Sequence, residues 1–424
     1  MRAPLIVAAL VGLAASSCPT APYALAQTTL RLAPAEPLAF ARATAPRAFR
    51  LPEDHGPHFE YQTEWWYYTG QLVTADERRF GFQLTFFRRG LSPGPPPAAG
   101  LSTNQIYFAH FAVTDVAGER HASAERLSRG AAGLAGASGR PFRVFVEDWT
   151  ADATSPDGAC VRVQARDGGL VLDLELEARK PLVAHGDHGL SPKSDEPGNA
   201  SYYVGYTRMT ARGRVGTDGT GTAVTGEAWF DHEWSTSALG PQAVGWDWWS
   251  LQLGDGRELM LFEIRRTDGS RETASGGTLV ARDGSTRRLQ AADFQITVVE
   301  RWRSRTSGAE YPARWKARVP SEGLELDVEP LVSDQEMRTS FVYWEGAVSL
   351  SGASRGRPLT GRGYVELTGY ARSMQGVYGS TMTFRPSRRA ASSKAVRASA
   401  SGKRWVTTER RSTRPATASA IARE

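Results

Sequence analysis

Short runs rich in Val, Thr, Tyr, Phe and Trp, separated by turn residues at intervals of roughly ten, recur from residue 51 to residue 384. This pattern favours strands over helices. Residues 64–73 and 79–88 form a predicted hairpin around Thr74-Ala75-Asp76-Glu77, and 91–100 is a Pro/Gly loop. Further strands are predicted at 105–115, 142–149, 160–165, 170–177, 201–214 and 222–234. A second series follows at 245–253, 258–265, 294–302, 315–319, 324–328, 342–350 and 363–370. Such spacing suits a sandwich or barrel. The expected fold is all-β, two similar barrels in tandem over residues 51–235 and 236–384.

Two stretches break the simple alternation by placing charge among aromatics. Trp229-Phe230-Asp231-His232-Glu233-Trp234 is followed by Gly245-Trp246-Asp247-Trp248-Trp249. In a strand, Asp231 and Glu233 take one face and His232 and Trp234 the other, so only half of the group can enter one cavity. Apolar burial raises a carboxyl's pKa, and indole faces stabilise positive charge. The plainer reading is a tryptophan-rich strand pair whose charges cap a sheet edge. Glu64-Trp65-Trp66-Tyr67-Tyr68 repeats the theme, with Glu64 and Trp66 on one face and Trp65 and Tyr67 on the other. His110 lies in an apolar strand, where a histidine is commonly a satisfied core residue. Arg208 is placed to neutralise a buried acid such as Glu64, an ion pair that is structural first.

The ends of the chain differ from its body. Arg2, the apolar run from Leu5 to Ala15 and the small residues Ala24-Leu25-Ala26 read as an export signal over residues 1–26. The apolar run is too short to span a bilayer. A competing reading lipidates Cys18 and tethers the protein to a membrane. Either way Cys160 is left without an intrachain partner. Residues 27–50, rich in Ala, Pro and Arg, are expected as an exposed lead-in, and 385–424 as a disordered basic tail. That tail holds 11 of the Lys and Arg residues and 2 acids, so the formal charge of +6 conceals a slightly acidic body. A nucleic-acid footprint is thereby excluded from the body.

Several local motifs carry little. Gly90-Leu91-Ser92-Pro93-Gly94 and Gly352-Ala353-Ser354-Arg355-Gly356 match the serine-hydrolase pattern, but neither leads from a strand into a helix. His55 with His58, and His185 with His188, have metal-ligand spacing in Gly/Pro-rich loops but lack a third ligand. No phosphate loop or dinucleotide fingerprint is present. Neither a metal nor a cofactor is expected.

Taken in order, HFEYQTEWWYYTG, FGFQLTFFRRG, SYYVGYTRM, GEAWFDHEWS, GWDWWSLQL, SDQEM, YWEGAV and GYVELTGY resemble the AttH/CrtC-like superfamily over about residues 51–372. This superfamily includes the acyclic carotenoid hydratases. The resemblance implies two lipocalin-like β-barrels and water addition to a terminal carbon–carbon double bond without a cofactor. It also implies roles for His232 and Trp234, with Asp247 or Asp231 as the acid.

The candidate catalytic residues are Asp231, His232, Glu233, Trp234 and Asp247. The candidate ligand-binding residues are Glu64, Trp66, His110, Tyr203, Arg208, Trp246 and Trp344. The leading expectation is an exported protein that binds a hydrophobic, isoprenoid or lipid-like molecule and performs acid-catalysed hydration or isomerisation on it. A non-catalytic carrier and a secreted hydrolase are the alternatives, and the oligomeric state stays open.

Overall fold

The structure is a computed structural model that describes residues 28–31, 40–97, 100–236, 239–240, 242–375 and 381–384. The expected export signal, Cys18 and the basic tail lie outside the described residues. Among those described, no α-helix forms; three short 3-10 turns interrupt an otherwise all-β fold. Two curled, barrel-like sheets follow one another along the chain, one of thirteen strands and one of ten. The first runs from Thr63–Val73 to Thr222–Ser235, the second from Ala243–Leu253 to Arg357–Leu367. Every pairing between their strands is antiparallel.

The central strands of the first sheet are aligned by their side chains. Thr222–Ser235 lies between Ala200–Gly216 and Thr63–Val73, which in turn pairs with Arg79–Gly90. Even-numbered residues on two of these strands, Trp66, Tyr68, Ala228 and Phe230, enter the first barrel's core with Leu84 and Phe111. Trp249, Leu251, Trp315, Trp344 and Val365 fill the second. The opposite faces meet in a third cluster, where Tyr67, Tyr203 and Trp229 pack on Trp248, Met260, Ala347 and Tyr364. Backbone carbonyls are tied across this junction. Gln71 donates to Val348 and Gly363, and Gln252 donates to Thr207 and Ala228, at 2.7–3.0 Å. Both sheets belong to one compact unit.

The structure departs from the sequence pattern at identifiable points. The run 142–149 is two strands, Phe142–Val146 and Trp149–Ala153, joined at Glu147, whose φ is 57°. The last strand of the second sheet starts at Arg357 because Arg355 and Gly356, at φ 50° and 74°, form a two-residue hairpin turn. Ser354, the serine of one hydrolase-like match, is the residue before that turn, where it accepts from Arg257. The strand Arg120–Arg129 has little β-branched or aromatic content and lies at the sheet edge, so its pattern is weak. Part of the expected lead-in is packed rather than exposed. Phe40 and Ala43 are buried, and the Arg47 guanidinium lies over Phe49, Tyr202 and Trp234 while pairing with Asp54.

Candidate functional site

Period-two alternation sends the Asp231–Trp234 residues to two different places. His232 and Trp234 turn inward, where Trp66 stacks on His232 at 4.9 Å and His58 lies flat on Trp234 at 3.8 Å. At the centre is Glu64, fully buried. Its carboxylate accepts from Arg88 Nε at 2.7 Å and lies 2.8 Å from His58 Nδ1 and 2.9 Å from His232 Nε2. Burial works against the charge on Glu64, but Arg88 and the two histidines hold its carboxyl well below the usual range. Burial also keeps His232 below its ordinary value. His58 is raised instead, because its bonds to Asp54 and Glu64 outweigh burial.

His58, Glu64 and His232 offer three ligand atoms within 4.8 Å of one another. They touch each other at hydrogen-bond distance, and Arg88 puts a guanidinium on the same carboxylate. A zinc ion about 2 Å from each ligand would force these atoms apart and face a neighbouring cation. The set therefore suits a hydrogen-bonded core better than a metal.

Asp231 and Glu233 turn the other way, into a cavity of about 130 Å³ at the junction of the sheets. Register explains the wall. Asp231 stands opposite Tyr67 and Gly205, while Glu233 stands opposite Trp65 and Tyr203. Trp246, Trp248 and Phe262 close the cavity from the second barrel. Asp231 accepts from Tyr203 Oη at 2.6 Å and Trp229 Nε1 at 2.8 Å, and Trp248 Nε1 donates to the same tyrosine oxygen at 3.0 Å. Burial pushes the Asp231 carboxyl up to about 8 against those two hydrogen bonds. Glycine is needed opposite it, since a Cβ on Gly205 would stand 2.4 Å from Asp231 Oδ1. Glu233 pairs with Lys193 at 2.7 Å.

Of the sequence candidates, Asp231, Glu233, Tyr203 and Trp246 line the cavity. His232, Trp234, Glu64 and Trp66 form the inward cluster one residue away. Asp247 points to the far side of its strand, held by Arg265 at 2.9 Å and Tyr370 at 2.8 Å, because Trp246 and Trp248 take the cavity face. His110 is a buried tie between Tyr343 and Glu125, and Trp344 belongs to the second barrel's core. Arg208 does not meet Glu64, whose cation is Arg88. It joins Glu258 and Glu227, each at 2.6 Å, where the two sheets approach. The histidine pairs also divide. His55, His58 and His185 are buried, while His188 is exposed.

Sequence reasoning missed Glu345 and Glu366, which complete the cavity wall. Tyr67 Oη donates to Glu345 at 2.8 Å, and Trp246 Nε1 donates to Glu366 at 2.9 Å. Burial raises Glu366 to about 7, and burial with the neighbouring Glu366 charge takes Glu345 well above its ordinary value. Each stands as a lone carboxyl in an apolar run, the signal that singled out Glu64.

The AttH-like family model matches residues 42–370, most of the chain and both sheets. The chain belongs to the AttH-like family. A solved structure of a protein described as AttH from Nitrosomonas europaea is 32% identical, with 78% of this chain and 100% of that one covered at a TM-score of 0.71. Kievitone hydratase from Nectria haematococca is 16% identical over 80% of this chain and 98% of its own, with a TM-score of 0.59, a likeness of fold. No curated protein matches the chain significantly. Among the described residues of this AttH-like chain, the strand Thr222–Ser235 thus carries an array of titratable groups on each face, and the junction array lines the cavity.

Proposed function

We propose that this AttH-like protein is exported, binds an apolar small molecule between its barrels and performs cofactor-independent acid chemistry on it, hydration or a related isomerisation. The observation that carries the reading is Asp231, buried yet facing an aromatic cavity. Both of its hydrogen-bond partners donate to it, and Tyr203 already receives the Trp248 N–H, so neither takes the carboxyl proton. Beyond those two donors the carboxyl faces the cavity and, 3.8 Å from Oδ1, the His185 Nε2, and the cavity is the outlet that leads to a ligand. Transfer to a carbon–carbon double bond would leave a carboxylate and a carbocation, which the faces of Trp65, Trp246 and Trp248 can shelter. Water adds to the cation, and the resulting oxonium returns its proton to Asp231. Kievitone hydratase shares the two-barrel fold, so the architecture is compatible with such chemistry.

Asp231→Asn should abolish turnover of an unsaturated apolar substrate while leaving its binding within about twofold. In the parent protein kcat/KM should be flat near neutrality and fall as pH rises through about 8, because the protonated acid is the active form. Full turnover in Asp231→Asn would remove the acid role. A carrier function has one observation in its favour: Asp247, His232 and Trp234 all lie outside the cavity.

A further inference from the structure

The junction cavity is poor in positive charge. Asp231, Glu233, Glu345 and Glu366 line it, and among the described lining residues the one cation is Lys193. Lys193 is already engaged by Glu233 at 2.7 Å, and its ammonium lies 5.0 Å from the centre of the Phe262 ring and 5.6 Å from that of Tyr203. On the second-barrel wall Glu345 and Glu366 are directly opposed across an antiparallel strand pair. At Cβ separations of about 5 Å, like charges in that position repel.

Each of these glutamates has one oxygen engaged, by Tyr67 or by Trp246. Glu345 is only 1% exposed. The buried hydroxyl of Tyr364, on the same face as Glu366, has no hydrogen-bond partner among the described residues. Trp65, Tyr67, Trp246 and Trp248 stand around the cavity, and aromatic faces attract cations. An opposed carboxyl pair with no cation paired to it among the described residues, enclosed by rings, is complementary to a positive charge set in an apolar shell.

We propose that this cavity binds an organic ammonium, with Glu345 and Glu366 as its counter-charge and the four rings around its alkyl groups. The proposal does not rest on Asp231 acting as an acid. The same wall would steady positive charge on a substrate carbon if Asp231 does.

Choline and its neutral isostere 3,3-dimethylbutan-1-ol separate charge from shape. Titrated into the intact protein and followed by tryptophan fluorescence, choline should bind at least about tenfold more tightly at pH 8.5. Its advantage should shrink about tenfold by pH 6, as Glu366 and, across the cavity, Asp231 take up protons. Glu233 and Asp247 act on Glu366 with like charge, and Trp246 donates to it; Tyr67, Tyr364 and Glu366 are the titratable neighbours of Glu345. The variant Glu345→Gln/Glu366→Gln should lose the preference yet still bind the alcohol, which shows an intact cavity. If that variant fails to fold, Glu366→Gln, at a half-buried position, serves instead and should reduce the preference. Equal affinity for the two probes in the parent protein, or a preference undiminished in the variants, would overturn the proposal. Asp231-dependent turnover without cation preference would sink this inference alone, and cation preference without turnover would sink only the acid mechanism.

Discussion

The buried position of Asp231 carries a cost in stability. Its folded carboxyl is raised to about 8 from an ordinary value of 3.8, so between those values the folded state holds a proton that the unfolded state has released. Stability must then fall as pH rises through that window. Asp231→Asn removes the penalty. It should raise Tm by several degrees at pH 8.5 and change it little at pH 3.5, where the folded parent is protonated and the unfolded chain largely so. Calorimetry across that range checks it, and an equal effect at both values would mean the carboxyl is not raised. The residues legible in the sequence were those whose local spacing decides their orientation, such as Asp231 against His232. Asp247 was legible as a buried acid but not as one directed to the far face. That outcome depends on which side of Ala243–Leu253 meets the first barrel.

At the scale of the element, the strand Thr222–Ser235 divides its labour by position. One face builds the Glu64 network and the other builds the cavity. The network is held by Arg88, fully buried, which also donates to Gln105 and to the carbonyls of His58 and Tyr61. Arg88→Met would leave the Glu64 charge in the core with only histidines against it, at a cost of about 3–5 kcal/mol. Urea denaturation should show it as a lower midpoint. An unchanged midpoint would mean that His58 and His232 suffice. The positions of most long strands and their alternation were readable because aromatic and β-branched residues recur with period two. The partner of Glu64 was not readable. Arg88 and Arg208 are both arginines in β-runs, and only the register of Glu64 against Arg88 selects between them.

On the scale of the whole molecule, the two barrels share a wall. The face made by Tyr67, Tyr203 and Trp229 packs against the second sheet, and the Arg208–Glu258 and Lys180–Glu258 pairs fasten its rim at 2.6 and 2.7 Å. Residues 40–236 expressed alone should therefore expose this aromatic patch, bind a hydrophobic dye and lack a sharp melt, whereas the intact protein melts in one cooperative transition. A sharp, dye-free melt of the fragment would show the barrels to be independent. Two barrels in sequence were legible from strand spacing. That the cavity belongs to neither alone was not, because Glu345 and Glu366 lie more than a hundred residues from Asp231 in the chain. The alternation along the cavity strands also bears on how such a protein can diverge. Changes at positions 65, 67, 231 and 233 reshape the cavity wall, while changes at 64, 66, 232 and 234 disturb the buried interior. Under the proposed ligand-binding role, neighbouring codons would answer to different selective pressures, with every second position free to follow a new ligand while the intervening ones hold the barrel constant.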